Sequence, residues 1–96
     1  MLISITTSPV TDEQLERVES FLAGFLPRLR QQSGVVEILH FARPKDASTT
    51  TIVVWENEEA LHAYRESELL KEALALEQAL GLVTTREAFP LLQRLA

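Results

Sequence analysis

Few side chains in this 96-residue sequence have the types and placement to do chemistry. His40 lies inside VVEILHFARP, Trp55 closes TTTIVVWE, Tyr64 follows in EEALHAY, and Arg86 stands in TTREAF. A neutral imidazole among apolar neighbours could take a proton from a phenol. An indole could offer a flat wall to an aromatic ring, a phenol could hydrogen-bond to a ligand oxygen, and a guanidinium could orient an anionic or quinone oxygen. Each also has a plainer role: His40 hydrogen-bonded within a sheet-to-sheet interface, Trp55 filling core, Tyr64 reaching solvent with its oxygen, and Arg86 balancing Glu87 at the surface.

A further set, Glu58, His62 and Glu66, recurs at steps of four on one helical face. That spacing could gather metal ligands, but on an exposed face it is ordinary i,i+4 pairing. No Gly-rich phosphate loop, Gly-x-Ser-x-Gly elbow or His-Glu-x-x-His is present, so nucleotide, hydrolase and zinc-protease chemistry lack their motifs.

Composition narrows the field further. The chain is 46% hydrophobic and 24% charged with a net charge of −5, which describes a folded globular chain and the wrong sign for collecting phosphates. Nucleic acid is therefore excluded as the expected partner. The absence of cysteine removes disulfides, thiolate metal sites and cysteine nucleophiles, and makes the cytoplasm the expected location. The N-terminal MLISITTSPVTDEQ has no basic stretch ahead of a long apolar one, and no apolar run reaches the ~20 residues of a membrane span, so neither a signal peptide nor a membrane anchor is expected.

The elements that must hold these residues follow from periodicity. LISITT, closed by Ser8-Pro9, reads as a strand. Thr11 and Gln14 have capping-box spacing, and Leu15, Val18, Leu22, Phe25 and Leu29 form one apolar stripe, so a helix starts near residue 12. Pro27 should kink its last turns and Gly34 should end it. VVEILHFARP and STTTIVVWE, joined by PKDA, form a hairpin. Asn57 caps a short helix to about Glu66, Ser67 caps a second one ending at Gly81, and a last strand stops at Pro90. The apolar tail LLQRL then needs a cover.

The order strand, helix, strand, strand, helix pair, strand is the split βαβ, ferredoxin-like arrangement: an α+β domain over 1–96 with a four-stranded antiparallel sheet. Strands two and three carry apolar residues on both parities, Val36, Ile38 and Ala42 against Val35, Leu39 and Phe41. Helices cover one face of such a sheet, so the other is expected to meet a second copy of the chain.

SGVVEILHFARP followed by TTTIVVWENEEALHAYRESELLKEAL resembles the antibiotic biosynthesis monooxygenase family, through Gly34 opening strand two, the pair Trp55-Glu56, and Ser67 at the break in the helix pair. The resemblance implies a dimeric α+β barrel, a homodimer built on the sheet face and C-terminal tail, with a pocket between sheet and helices in each subunit. It implies oxygenation of a hydrophobic aromatic small molecule without metal or flavin, or a non-catalytic binding module that keeps the dimer. In that reading His40 is the base, Tyr64 a hydrogen-bonding group, and Trp55 and Arg86 contact the substrate. The family's haem-degrading branch supplies an asparagine from strand one, a tryptophan closing strand three and a histidine after the serine break. Only Trp55 matches, since strand one offers Ser4, Thr6 and Thr7 and Leu74 stands at the histidine position, so no cofactor is expected.

Overall fold

The computed structural model describes residues 1–95, so of the expected domain only Ala96 lies outside the described residues. In chain order the elements are β1 (Leu2–Pro9), α1 (Asp12–Arg30), β2 (Val35–Arg43), a 3-10 turn (Pro44–Asp46), β3 (Ser48–Trp55), α2 (Glu58–Arg65), α3 (Glu68–Leu80) and β4 (Thr85–Pro90). The strands form one antiparallel sheet in the order β2-β3-β1-β4. This is the expected ferredoxin-like α+β fold.

The predicted caps are present. Thr11 and Gln14 close a reciprocal capping box, Asn57 accepts the N–H of Ala60, and Ser67 accepts that of Leu70. One expectation at α1 needs correction. The helix continues through Pro27 without restarting, leaving the carbonyl of Ala23 without its helical donor. It ends at Arg30 with Gln31 as C-cap, so Gly34 is not the capping residue. Gly34 instead serves two local needs: its φ is +86°, and the chain there passes so close to α2 that a Cβ would lie 2.3 Å from that of Ala60.

A β-bulge between Val35 and Glu37 corrects the parity of β2. The extra residue brings Val35 to the side of Ile38, His40 and Ala42, where it packs in the core with Trp55. That side faces the helices. The core lies between it and the helix stripes, built on Phe25, Leu29, Val53, Leu61 and Leu69 around Trp55, which is 0% exposed.

The opposite face carries Ile3, Ile5, Leu39, Phe41, Ile52 and Phe89, as the strand registers require. Leu39, Phe41 and Phe89 are 47, 42 and 44% exposed there, so the helices leave this face apolar and uncovered. After β4 the tail crosses one end of the sheet. The N–H of Leu91 donates to Met1 (3.1 Å), and Arg94 Nε lies 3.5 Å from Glu37 Oε1 at the far edge.

Among the described residues no helix is long and apolar enough to cross a membrane.

Candidate functional site

The helix-facing side of the sheet is divided by chemistry. At the Trp55 end its residues are apolar, but along β1 and β3 they become Ser4, Thr6 and Ser8 beside Val53, Thr51 and Thr49. Short hydroxyl side chains suit strands and occupy little volume, so space is left between them and the helices that is filled at Trp55. The result is a cavity of about 80 Å³. Its floor is hydroxylic. Its roof is the apolar stripe of α1, with Phe21, Leu22, Phe25 and Leu26, and its far wall comes from Ala73 and Leu76 of α3.

Tyr64, Glu77 and Arg86 supply the remaining polar groups of the lining. Arg86 grips Glu77 with both guanidinium nitrogens, Nη1 to Oε1 at 2.8 Å and Nη2 to Oε2. This bidentate contact raises the Arg86 pKa, against the opposing effect of burial. The expected pairing with Glu87 does not form, because strand alternation sends Glu87 to the other face, opposite Ile5.

Burial pushes the Tyr64 phenol up to about 12, with Arg86 lowering it and Glu77 raising it further. At neutral pH Tyr64 is thus a hydrogen-bond donor. Trp55 stands behind it: the rings lie 5.4 Å apart at 32°, and the indole N–H donates to Ser4 Oγ at 2.9 Å. Trp55 is not among the residues that line the cavity.

His40 is on the helix side of β2, not in a sheet-to-sheet interface, and its surroundings are more polar than the apolar pattern of its strand suggests. Its Nε2 lies 2.7 Å from Glu19 Oε1 of α1 and its Nδ1 lies 2.8 Å from Thr51 Oγ1. The ring itself does not line the cavity, but Thr51 does. On α2, His62 meets Glu66 at 3.3 Å across an exposed face. Among the described residues no three His, Cys, Asp or Glu side chains are grouped to hold a metal ion.

Comparison with known proteins adds to this geometry. The family model described as antibiotic biosynthesis monooxygenase matches residues 1–76. The chain belongs to the antibiotic biosynthesis monooxygenase (ABM) family.

Solved structures of similar fold agree over the whole length of this ABM chain. A Deinococcus radiodurans protein, a candidate antibiotic biosynthesis monooxygenase, is 17% identical with a TM-score of 0.89, covering 100% of this chain and 97% of its own. A variant of SnoaB, a cofactor-independent oxygenase from Streptomyces nogalater, is 27% identical with a TM-score of 0.77, covering 98% and 95%. A Nitrosomonas europaea protein of unknown function is 18% identical with a TM-score of 0.80, covering 99% and 92%. No curated protein sequence matches the chain.

The ABM fold thus brings Tyr64 and Arg86 to one cavity and places Trp55 and His40 one layer outside it. Leu74, where the resemblance sets a haem-binding histidine, is exposed and does not line the cavity. Sequence reasoning missed the hydroxyl floor and Glu77. Ser4, Thr6 and Ser8 alternate with Ile3, Ile5 and Thr7, a period of two that marks a polar strip on one face, and this signal could have found the floor.

Proposed function

We propose that this ABM-family chain is a cofactor-independent monooxygenase of a small hydrophobic aromatic molecule of the quinol or phenol kind. The observation that carries the reading is the cavity, which sets an apolar roof against a hydroxyl floor and adds Tyr64 and Arg86 to its lining. A flat ring with peripheral oxygens fits those two surfaces: its faces replace water against Phe21, Phe25 and Leu22, and its oxygens meet hydroxyls. SnoaB, the 27%-identical structural relative, is an oxygenase of the cofactor-independent kind, which supports the same class of reaction here.

In this reading His40 is the base that ionises the substrate's phenol or enol. The resulting phenolate or enolate has carbanion character at a ring carbon and passes its electrons to oxygen; counted on the keto tautomer, a ring methylene plus O₂ becomes a ring carbonyl plus water. Tyr64, protonated at neutral pH, donates to the substrate oxygen, and Arg86 offsets the charge that develops there. Trp55 fixes the Tyr64 ring from behind. A volume of about 80 Å³ is about half the ~150 Å³ cavity that holds a benzene, so one ring enters as the cavity widens nearly twofold, and the rest of a larger substrate extends outward, past the partly exposed Arg86 and Glu77.

The working unit is a homodimer that joins the apolar open sheet faces, with Leu39, Phe41 and Phe89 at the contact and the tail beside it. Sedimentation at micromolar concentration checks this, a stable lone protomer counting against it.

The small volume and the leucines of the lining favour a second reading, a ligand-binding module without turnover. Oxygen uptake on a panel of quinols and anthrones separates the two. The oxygenase consumes oxygen with at least one substrate, and His40→Ala lowers the rate by about a hundredfold or more. Ligand binding without uptake on any substrate leaves the module.

A further inference from the structure

The only base in the proposed reaction sits outside the cavity in which the substrate would bind, which raises the question of how a proton reaches it. His40 does not line the cavity, yet Thr51, which does, lies 2.8 Å from His40 Nδ1 through its Oγ1. On the ring's other side, Nε2 meets Glu19 Oε1 at 2.7 Å. We infer that Glu19, His40 and Thr51 form a carboxylate–imidazole–hydroxyl relay that carries a phenolic proton out of the cavity. Thr51 is then the catalytic residue that touches the substrate. This rests on the oxygenase reading for its purpose, but not for its test.

The hydrogen-bonding directions follow from the donor inventory. A carboxylate only accepts, so a neutral His40 must carry its hydrogen on Nε2, pointing at Glu19. Nδ1 is then an acceptor, and the hydroxyl of Thr51 donates to it. When a phenol binds with its O–H on Thr51 Oγ1, that oxygen takes the phenolic proton while passing its own to Nδ1. The balance is a phenolate in the cavity and an imidazolium held by Glu19, with Thr51 unchanged.

The surroundings suit the direction of transfer. His40 has 15% of its side chain exposed and Glu19 46%, so the chain of groups runs from the cavity towards solvent, where the proton leaves. Other charged groups line the groove over the imidazole: Arg30 of α1, Glu37 of β2 and Arg94 of the tail. Arg30 is occupied by the carbonyl of Val35 at 3.1 Å and Glu37 lies 3.5 Å from Arg94, so Glu19 is the carboxylate in contact with His40. A strut between α1 and β2 would need the Glu19 contact alone. Thr51 stands opposite His40 in the β2–β3 ladder, so their bond also ties the two strands, and what a relay adds is that this partner is a residue of the cavity lining.

Two measurements test this, neither needing turnover. The first is the tautomer of His40 by ¹⁵N NMR at pH 8, assigned against His62→Gln since the chain has two histidines. The relay requires the neutral Nε2–H form; an Nδ1–H form or a persistent imidazolium overturns it. The second is the ionisation of bound 4-nitrophenol, read from its phenolate absorbance at a pH where the free compound is mostly protonated. Wild type holds it as phenolate. Thr51→Val and His40→Gln each lower the bound phenolate-to-phenol ratio at least tenfold, Glu19→Gln lowers it severalfold, and Thr51→Ser restores it. If these variants change thermal stability but leave the ratio unchanged, the three residues are only structural and the relay is wrong. Failure of 4-nitrophenol to bind wild type at millimolar concentration also overturns it, because the relay must open on a space that a phenol can enter. Absence of oxygen uptake with both results as expected removes the oxygenase reading and leaves the relay standing.

Discussion

The indole of Trp55 lies against the ring of Tyr64, centroids 5.4 Å apart, so the residue that ends β3 positions the chain's single tyrosine at the cavity wall. The question of whether this tryptophan fills core or lines a pocket has an answer in layers: it is core, and what it supports is pocket.

Truncating that support costs stability first. Trp55→Ala should lower the unfolding free energy by roughly 3 to 5 kcal/mol, as for other buried large-to-small changes. Trp55→Phe should cost roughly 2 kcal/mol, partly because Ser4 Oγ loses the indole donor. Urea denaturation checks both, and the milder variant is the one to use in ligand work.

Tyr64 should impose a signature at high pH. Its folded-state pKa of about 12 lies above the ordinary value of 10.0, so between them the unfolded chain releases a proton that the folded chain keeps. Stability contributed by the neutral phenol is complete below pH 10 and falls as pH rises through 12, by on the order of 2 kcal/mol. Tyrosinate absorbance of the folded protein should rise with a midpoint near 12, and Tyr64→Phe should abolish this component of the alkaline stability loss.

Gly34 should tolerate no side chain. At φ +86° an alanine is strained by about 1 to 2 kcal/mol, and its Cβ would overlap Ala60 Cβ at 2.3 Å, adding a similar overpacking cost. Gly34→Ala should therefore lose roughly 3 kcal/mol in urea titrations. Ala60→Gly in the same chain should recover the overlap part and leave the backbone part.

The Arg86–Glu77 pair should govern affinity for anionic ligands. Glu77→Gln weakens Arg86's internal partner, so a phenolate or aryl carboxylate should bind severalfold more tightly by calorimetry. Arg86→Met should weaken the same ligand by about tenfold or more, the loss of a charged hydrogen bond.

Much of the scaffold was legible because local signals agree with the fold. The Thr11–Gln14 box and the Asn57 and Ser67 caps each fix the start of an element without tertiary help. The site was less legible because its pairs are made across elements. Glu19 reads as one more acid on the solvated face of α1, and nothing local says that His40 of β2 will reach it. Arg86 finds Glu77 on α3 through strand parity that leaves its sequence neighbour Glu87 on the far face. The bulge at Val35/Glu37 carries no glycine or proline of its own to announce it, which is why simple alternation misplaces Val35.

The central claim is that oxygenation takes place in the space between α1, α3 and the hydroxyl floor. The most direct measurement is oxygen uptake, with matched substrate loss, by wild type and by Leu76→Trp, which plugs that space from a partly exposed position. The account predicts one oxygen consumed per substrate oxidised by wild type and loss of at least nine-tenths of the rate in the plugged, still folded variant. Equal rates in the two proteins would contradict it.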